Sequence, residues 1–194
     1  MANIILVTGG ARSGKSAYAE SMAKSFPGPR AYIATAPVFD AEMEKRVEHH
    51  KQQRKNDGWD TIEEEINLFE AIKKADAYDT ILADCLTLWI NNLLYAAEQK
   101  GQQISEDDMI AKCSQLKEIC AEFDGNIIFV INEVGMGIVP DNPLARAFRD
   151  ISGRCSQNVA KFAHKVVLVS CGIPLTLKDE IRLKQNEDYN NETA

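Results

Sequence analysis

Gly9-Gly10-Ala11-Arg12-Ser13-Gly14-Lys15-Ser16 is the stretch on which the fold of this chain turns. It fits G-x-x-x-x-G-K-[ST] at every fixed position. Before it lies Ile4-Ile5-Leu6-Val7-Thr8, a short apolar run of β type. After it, Ala17 to Ser25 holds helix formers with no Gly or Pro. Strand, glycine loop and helix form the context that a phosphate-binding loop needs. Gly9, Gly10 and Gly14 let backbone N–H groups converge on phosphate oxygens, with Ala11, Arg12 and Ser13 completing the loop. The helix N-terminus adds its dipole and unpaired N–H groups. Lys15 is placed to reach the β- and γ-phosphates, and Ser16 to ligate Mg²⁺. The bland alternative is a glycine turn that happens to hold a lysine. It does not explain why signature and context agree.

Working outward, the chain alternates short apolar strands with helices. Strands are expected at Ala31–Ala34, Thr80–Asp84, Ile127–Ile131 and Val166–Val169, with a further short one near Leu175. Helices are expected from about Asp40 (as N-cap) to Gln53, at Leu68–Ala75, at Leu86–Gln99, and from Leu144 to about Lys161. Another follows Ser105-Glu106-Asp107-Asp108, which reads as a capping box. Behind that box Met109, Cys113, Leu116, Cys120 and Phe123 recur at three- and four-residue spacing, the mark of a buried stripe. Trp59 to Ile66 reads as extended or irregular. The pattern predicts an α/β protein with a mostly parallel sheet and helices on both faces. There is no internal repeat or linker, so residues 1–177 read as one nucleotide-binding catalytic domain and 178–194 as a polar tail.

Composition narrows the function. A chain of 194 residues suits one domain, and 45% hydrophobic residues is ordinary for a globular one. A net charge of −7 argues against nucleic acid or an anionic membrane as partner. The five cysteines are odd in number and form no C-x-x-C pair, so they read as free thiols in a reducing compartment. The first apolar run lacks a basic n-region and leads straight into the glycine loop, so it reads as a core strand and not a signal peptide. No run is apolar for long enough to span a membrane. The expectation is a cytoplasmic protein.

Three further constellations stand out. Arg46, His50 and Arg54 are spaced i, i+4, i+8, and so share one face of a helix, with Lys51 beside them. A basic stripe holding an imidazole suits a triphosphate, and a neutral histidine can attack phosphorus. The interleaved Glu42, Glu44 and Glu48 equally suit a solvated helix of mixed charge, and spacing alone does not separate His50 from His49. Asp84 and Glu133 each end an apolar strand, where an acid can hold Mg²⁺ or activate a nucleophile. Asn132-Glu133-Val134-Gly135-Met136-Gly137-Ile138-Val139-Pro140 is a two-glycine loop after the most apolar strand, with Arg146, Arg149 and Arg154 on the next helix. A guanine-reading N-K-x-D motif is absent, so ATP and GTP stay open as substrates.

Taken together these residues resemble one family, the bifunctional adenosylcobinamide kinase / adenosylcobinamide-phosphate guanylyltransferase of cobalamin biosynthesis. The resemblance runs through Ile4 to Ser16, Tyr32-Ile33-Ala34-Thr35, Arg46 to Arg54, Trp59-Asp60-Thr61-Ile62-Glu63 and, most specifically, Asn132 to Pro140 with Leu144-Ala145-Arg146 and Phe148-Arg149-Asp150. It implies a transferase with a RecA-like P-loop fold. Such an enzyme phosphorylates the aminopropanol hydroxyl of adenosylcobinamide with a nucleoside triphosphate, then transfers GMP from GTP to that phosphate through a guanylyl-histidine. The family motif R-[IV]-x-x-H-[RK]-x-x-R aligns the nucleophile with His50. Ala34, Thr35, Ala36, Lys51, Gln52, Gln53, Arg54, Glu63 and Asp84 then fall in the nucleotide-contacting positions. Where the family usually has Glu, this chain has Asp84, shorter by a methylene. A homo-oligomer, trimeric in family members, is also implied. Two other readings stand beside it: a single-activity P-loop kinase of small molecules, and a nucleotide-driven switch or assembly module.

Overall fold

The computed structural model of the chain describes residues 2–37, 48, 52, 54 and 56–181. Seven strands form one sheet: β1 (Asn3–Gly9), β2 (Arg30–Ala34), β3 (Trp59–Glu63), β4 (Thr80–Asp84), β5 (Asn126–Asn132), β6 (Lys165–Ser170) and β7 (Ile173–Asp179), in the order β3-β2-β4-β5-β1-β6-β7. Every neighbouring pair is parallel except β6 and β7. The helices are α1 (Lys15–Ser25), α2 (Leu68–Lys74), α3 (Leu86–Glu98), α4 (Glu106–Glu122) and α5 (Pro143–Phe162).

Strand alternation divides the core between two faces. Ile5, Val7, Leu82, Ile128, Val130, Val167 and Val169 pack with Ala19 and Ala23 of α1. Ile4, Leu6, Ile81, Ala83, Ile127, Phe129, Ile131 and Val166 pack with α2 to α5. Both faces of the central strands are therefore buried, which is why those strands read as unbroken apolar runs. On the second face the expected stripe of Met109, Cys113, Leu116, Cys120 and Phe123 is buried. Ser105 caps α4, accepting from the Asp108 N–H while the Asp108 carboxylate accepts from the Ser105 N–H, so the capping box forms. Trp89 is buried edge-on to Phe69 and donates its indole N–H to the Ile66 carbonyl at 2.9 Å, tying α3 to the approach of α2.

One expectation is sharpened and another changes. Trp59 to Glu63 is a regular edge strand, paired residue for residue with β2. And β7 runs past Leu177 through Lys178 and Asp179, which were placed in the tail. Lys165 pairs with Asp179 at 2.9 Å, so polar residues there complete a ladder. The greater part of the helix expected between Asp40 and Gln53 lies outside the described residues; Glu48, Gln52, Arg54 and Asn56 have helical backbone.

The sheet's stability rests on close packing of its central strand. Phe129→Ala should cost about 3–5 kcal/mol, read as a lower urea midpoint with unchanged slope. A loss below about 1 kcal/mol would mean that Phe129 is not the keystone of the α2–α5 face.

Candidate active site

The phosphate-binding loop is shaped by what packs behind it. A Cβ on Gly9 would stand 2.3 Å from the Val169 carbonyl oxygen and 2.6 Å from Ser13 Oγ, so only glycine lets β6 pass this close. Gly14, the N-cap of α1, has φ +93°, the left-handed region where glycine is unstrained. The Ser13 N–H donates to the Gly10 carbonyl at 3.2 Å, and the Gly172 N–H donates to the Ser13 carbonyl at 2.8 Å, so the β6–β7 turn braces the loop. Lys15 is buried, and its ammonium donates to the Gly10 carbonyl at 3.3 Å. Ser13 Oγ is buried with no hydrogen-bond partner among the described residues. A pocket lined by Arg12, Ser13, Gly14, Lys15, Ser16 and Ala17 opens directly on the N-terminus of α1. Orphaned N–H groups, an unused hydroxyl and a buried ammonium around one concavity are what a phosphate would satisfy.

The register places the other candidates on the same edge of the sheet. Gly9 lies opposite Asn132, Asp84 opposite Val130, and Ala34 opposite both Asp84 and Glu63. This is the carboxyl end of the parallel strands, where open α/β sheets bind ligands. With strands about 4.8 Å apart, the Asp84 strand stands two steps, about 10 Å, from β1, and the Glu63 strand four steps, about 19 Å. The candidates thus divide into two halves: the glycine loop around β1, and Ala34, Arg54 and Glu63 around β2 and β3. Asp84 lies between them.

Asp84 sits in a small electrostatic network that sequence reading did not find. Tyr32 donates its hydroxyl to Asp84 Oδ2 at 2.9 Å. The Arg54 guanidinium lies 4.0 Å from the centroid of the Tyr32 ring, a cation–π contact, and its Nε donates to Thr61 Oγ1 at 3.4 Å. Burial first, and then the Asp84 charge, hold the Tyr32 phenol well above its ordinary range, so it stays a neutral donor. Glu20 follows Ser16 by one helical turn on α1. Burial, and then Asp84, raise its pKa. Ser16, Asp84 and Glu20 are hard oxygen donors of the kind Mg²⁺ takes, and so suit it in their chemistry.

Other expectations are redirected. The Thr35 hydroxyl is buried; it accepts from the Cys85 N–H and donates to the Cys85 carbonyl, both at 2.8 Å. The side chain of Thr35 therefore shapes the turn after β2 rather than facing a ligand, and Asn92 fixes that turn by donating to the Thr35 carbonyl at 2.9 Å. Gln52 is exposed and donates to Asn56 at 3.4 Å. Glu133 donates its N–H to the Gly9 carbonyl at 2.9 Å, but its carboxylate is engaged by the Gly135 N–H at 2.6 Å. The arginines of α5 are engaged within the chain: Arg146 by the Pro140 and Asp141 carbonyls, Arg149 by Asp150, Arg154 by Glu106. His50, Lys51 and Gln53, with Arg46 and His49, lie outside the described residues.

A P-loop at the head of a mostly parallel sheet, with an acid two strands away, defines a nucleotide-binding α/β protein of the P-loop class. Its fold is shared with a prototypical ATPase from the type III secretion system of pathogenic bacteria (TM-score 0.57, 11% identity, covering 93% of this chain and 57% of that one). Residues 5–177 match the family described as cobinamide kinase / cobinamide phosphate guanyltransferase, and the chain belongs to that family. It is 40% identical over 182 residues to the bifunctional adenosylcobalamin biosynthesis protein CobU of Escherichia coli, covering 90% of this chain and 99% of that protein. The CobU of Salmonella typhimurium is 42% identical over 183 residues, covering 90% and 99%. The corresponding CobP of Pseudomonas aeruginosa is 37% identical over 176 residues, covering 90% and 97%.

The acid pair makes a prediction with a definite sign. Because Glu20 has its pKa raised in the fold, the folded state holds more protons than the unfolded one. Stability is then lost as pH rises from the ordinary glutamate value through the raised one. Glu20→Gln should therefore raise the thermal midpoint of the nucleotide-free protein at pH 7, and lose that advantage in acid below the carboxylate range. A lower midpoint at pH 7 would show that Glu20 is not crowded by Asp84.

Proposed function

We propose that the chain is a bifunctional enzyme that handles nucleotides twice along one sheet edge. It phosphorylates adenosylcobinamide with ATP or GTP, then converts the product to adenosylcobinamide-GDP with GTP, in adenosylcobalamin biosynthesis. The observation that carries this is the division of the candidates into a phosphate-gripping half at β1 and a second half at β2 and β3, with Asp84 between.

In the kinase step Gly9 to Gly14 orient the triphosphate with backbone N–H groups, and Lys15 offsets charge on the phosphoryl group passing to the acceptor hydroxyl. Mg²⁺, when bound through Ser16 with Asp84 and Glu20 nearby, supplies neutralisation of the β- and γ-oxygens. In the guanylyl step the neutral imidazole of His50 forms a P–N bond to the α-phosphorus of GTP, and pyrophosphate leaves. A phosphate oxygen of the acceptor then attacks that phosphorus, the P–N bond breaks, and His50 is released. Arg46, Lys51 and Arg54 offset charge on the phosphates, and Ala34, Ala36, Gln52, Gln53 and Glu63 complete the nucleotide-contacting set. The enzyme works in the cytoplasm as a homo-oligomer, a trimer on the family's pattern, which light scattering will measure.

Two predictions test the division of labour. Lys15→Ala should lower phosphoryl transfer on the order of 10³-fold or more, measured as phosphate moved to adenosylcobinamide; near-normal turnover would remove Lys15 from the site. His50→Ala should lose the covalent adduct formed with α-labelled GTP and lose guanylyl transfer, while retaining part of the kinase activity. His49→Ala should keep the adduct. Label lost from His49→Ala but kept by His50→Ala would reverse the assignment, and label kept by both would end the covalent mechanism.

A further inference from the structure

The loop after β5 is the motif that the two nucleotide half-sites leave unused, and it is built in an unusual way. It starts against the P-loop, through the bond from the Glu133 N–H to the Gly9 carbonyl. Its near end is pinned by the Glu133 carboxylate on the Gly135 N–H, and its far end by Arg146 on two carbonyls. Asn142 then caps α5, accepting from the Leu144 and Ala145 N–H groups. Between these anchors the apolar side chains point outward: Met136 is 83% exposed, Ile138 97% and Val139 59%. Leu144, on the first turn of α5, is 56% exposed and forms the rim of a groove of about 530 Å³ that reaches Leu94 and Ile104. An anchored loop that turns its large aliphatic groups to solvent presents a contact surface, because collapse onto the core would otherwise bury them.

We propose that this loop and groove seat the macrocycle of the phosphoryl acceptor. The inference rests on the reading above that the acceptor is a corrinoid. Three features select that occupant. The surface is continuous with the phosphate site, since Ile138 is five residues beyond Glu133, on the order of 17 Å of extended chain at most. It sets polar groups beside aliphatic ones, since Glu98, Gln102 and Gln103 line the groove together with Leu94, Ile104 and Leu144, which suits a corrin ring whose edge carries both methyl groups and amide arms. Its anchoring side chains are already engaged, Glu133 by the Gly135 N–H and Arg146 by two backbone carbonyls, so a ring docking on the exposed aliphatic groups displaces neither bond. The ring then lies over Met136, Ile138 and Val139, with its hydroxyl-bearing arm directed at the P-loop. The same seat serves both reactions, because the acceptor of the second step is the product of the first.

The test is the pair of variants Ile138→Ser and Met136→Ser/Ile138→Ser, assayed with adenosylcobinamide as varied substrate. The expected result is a KM for adenosylcobinamide raised about tenfold in the single variant and further in the double, with little change in kcat. The GMP adduct formed from GTP alone, which needs no acceptor, should be retained, and the mass by light scattering should match the parent. An unchanged KM overturns the proposal. So does a smaller particle mass, which would make the loop a contact between copies, and so does loss of the adduct, which would make it a nucleotide contact. On the unaltered protein, hydroxyl-radical labelling of Met136 should fall when cobinamide is added and not when GTP is added. No protection by cobinamide also overturns the proposal. Failure of the parent protein to phosphorylate adenosylcobinamide or to form the adduct would instead remove the underlying functional reading.

Discussion

The passage of β6 behind Gly9 is the constraint from which the rest follows. With the Val169 carbonyl 2.3 Å from where a Cβ would stand, the chain at the end of β1 has no side chain and no freedom to drift. That close approach fixes the direction in which the loop leaves the sheet, and the Gly172–Ser13 bond fixes where it returns. The loop is therefore preorganised by neighbours from the other end of the sequence. Electrostatic binding gains most when the donors need not reorganise. The antiparallel β7 takes part in this: the tight turn that leads into it supplies Gly172.

A second consequence concerns charge. A preorganised phosphate site needs positive potential at its centre and acids only where a cation will join them. Lys15 is buried within the loop, while Asp84 and Glu20 stand apart from it on the α1 face of the sheet. The arginines that could have flooded the edge with charge are held elsewhere, by Asp150, Glu106 and backbone carbonyls. The net charge of −7 does not prevent triphosphate binding, because the field at the site is set by a few oriented groups.

How much of this could be read from sequence depended on how local each cause is. The glycine loop was legible because its chemistry is written in eight consecutive residues. The central strands were legible because burial on both faces leaves an unbroken apolar run. β3 was legible only as extended or irregular, since an edge strand whose Asp60 and Glu63 are exposed has no such run. The end of β7 was missed for the same reason: Lys178 and Asp179 are held by pairing and not by burial. Within the site, Tyr32 and Asp84 are 52 residues apart, and nothing in either segment announces the other. Glu20 could have been noticed, one turn beyond Ser16, but only the sheet shows that Asp84 faces it. The α5 arginines show the opposite case: a suggestive stripe whose partners are all within the chain.

Asp84 brings these threads to one atom. The Tyr32 hydroxyl occupies Oδ2 and, kept neutral by burial, never competes as a charge. The same phenol ring carries the Arg54 guanidinium on its face, so the residue that orients Asp84 also holds a cation beside β2 and β3. The Tyr32 phenol, donating from β2, fixes the direction of the carboxylate on β4. The link between the two halves of the sheet edge is thus a single aromatic side chain, bonded to the acid at its tip and to the cation at its face.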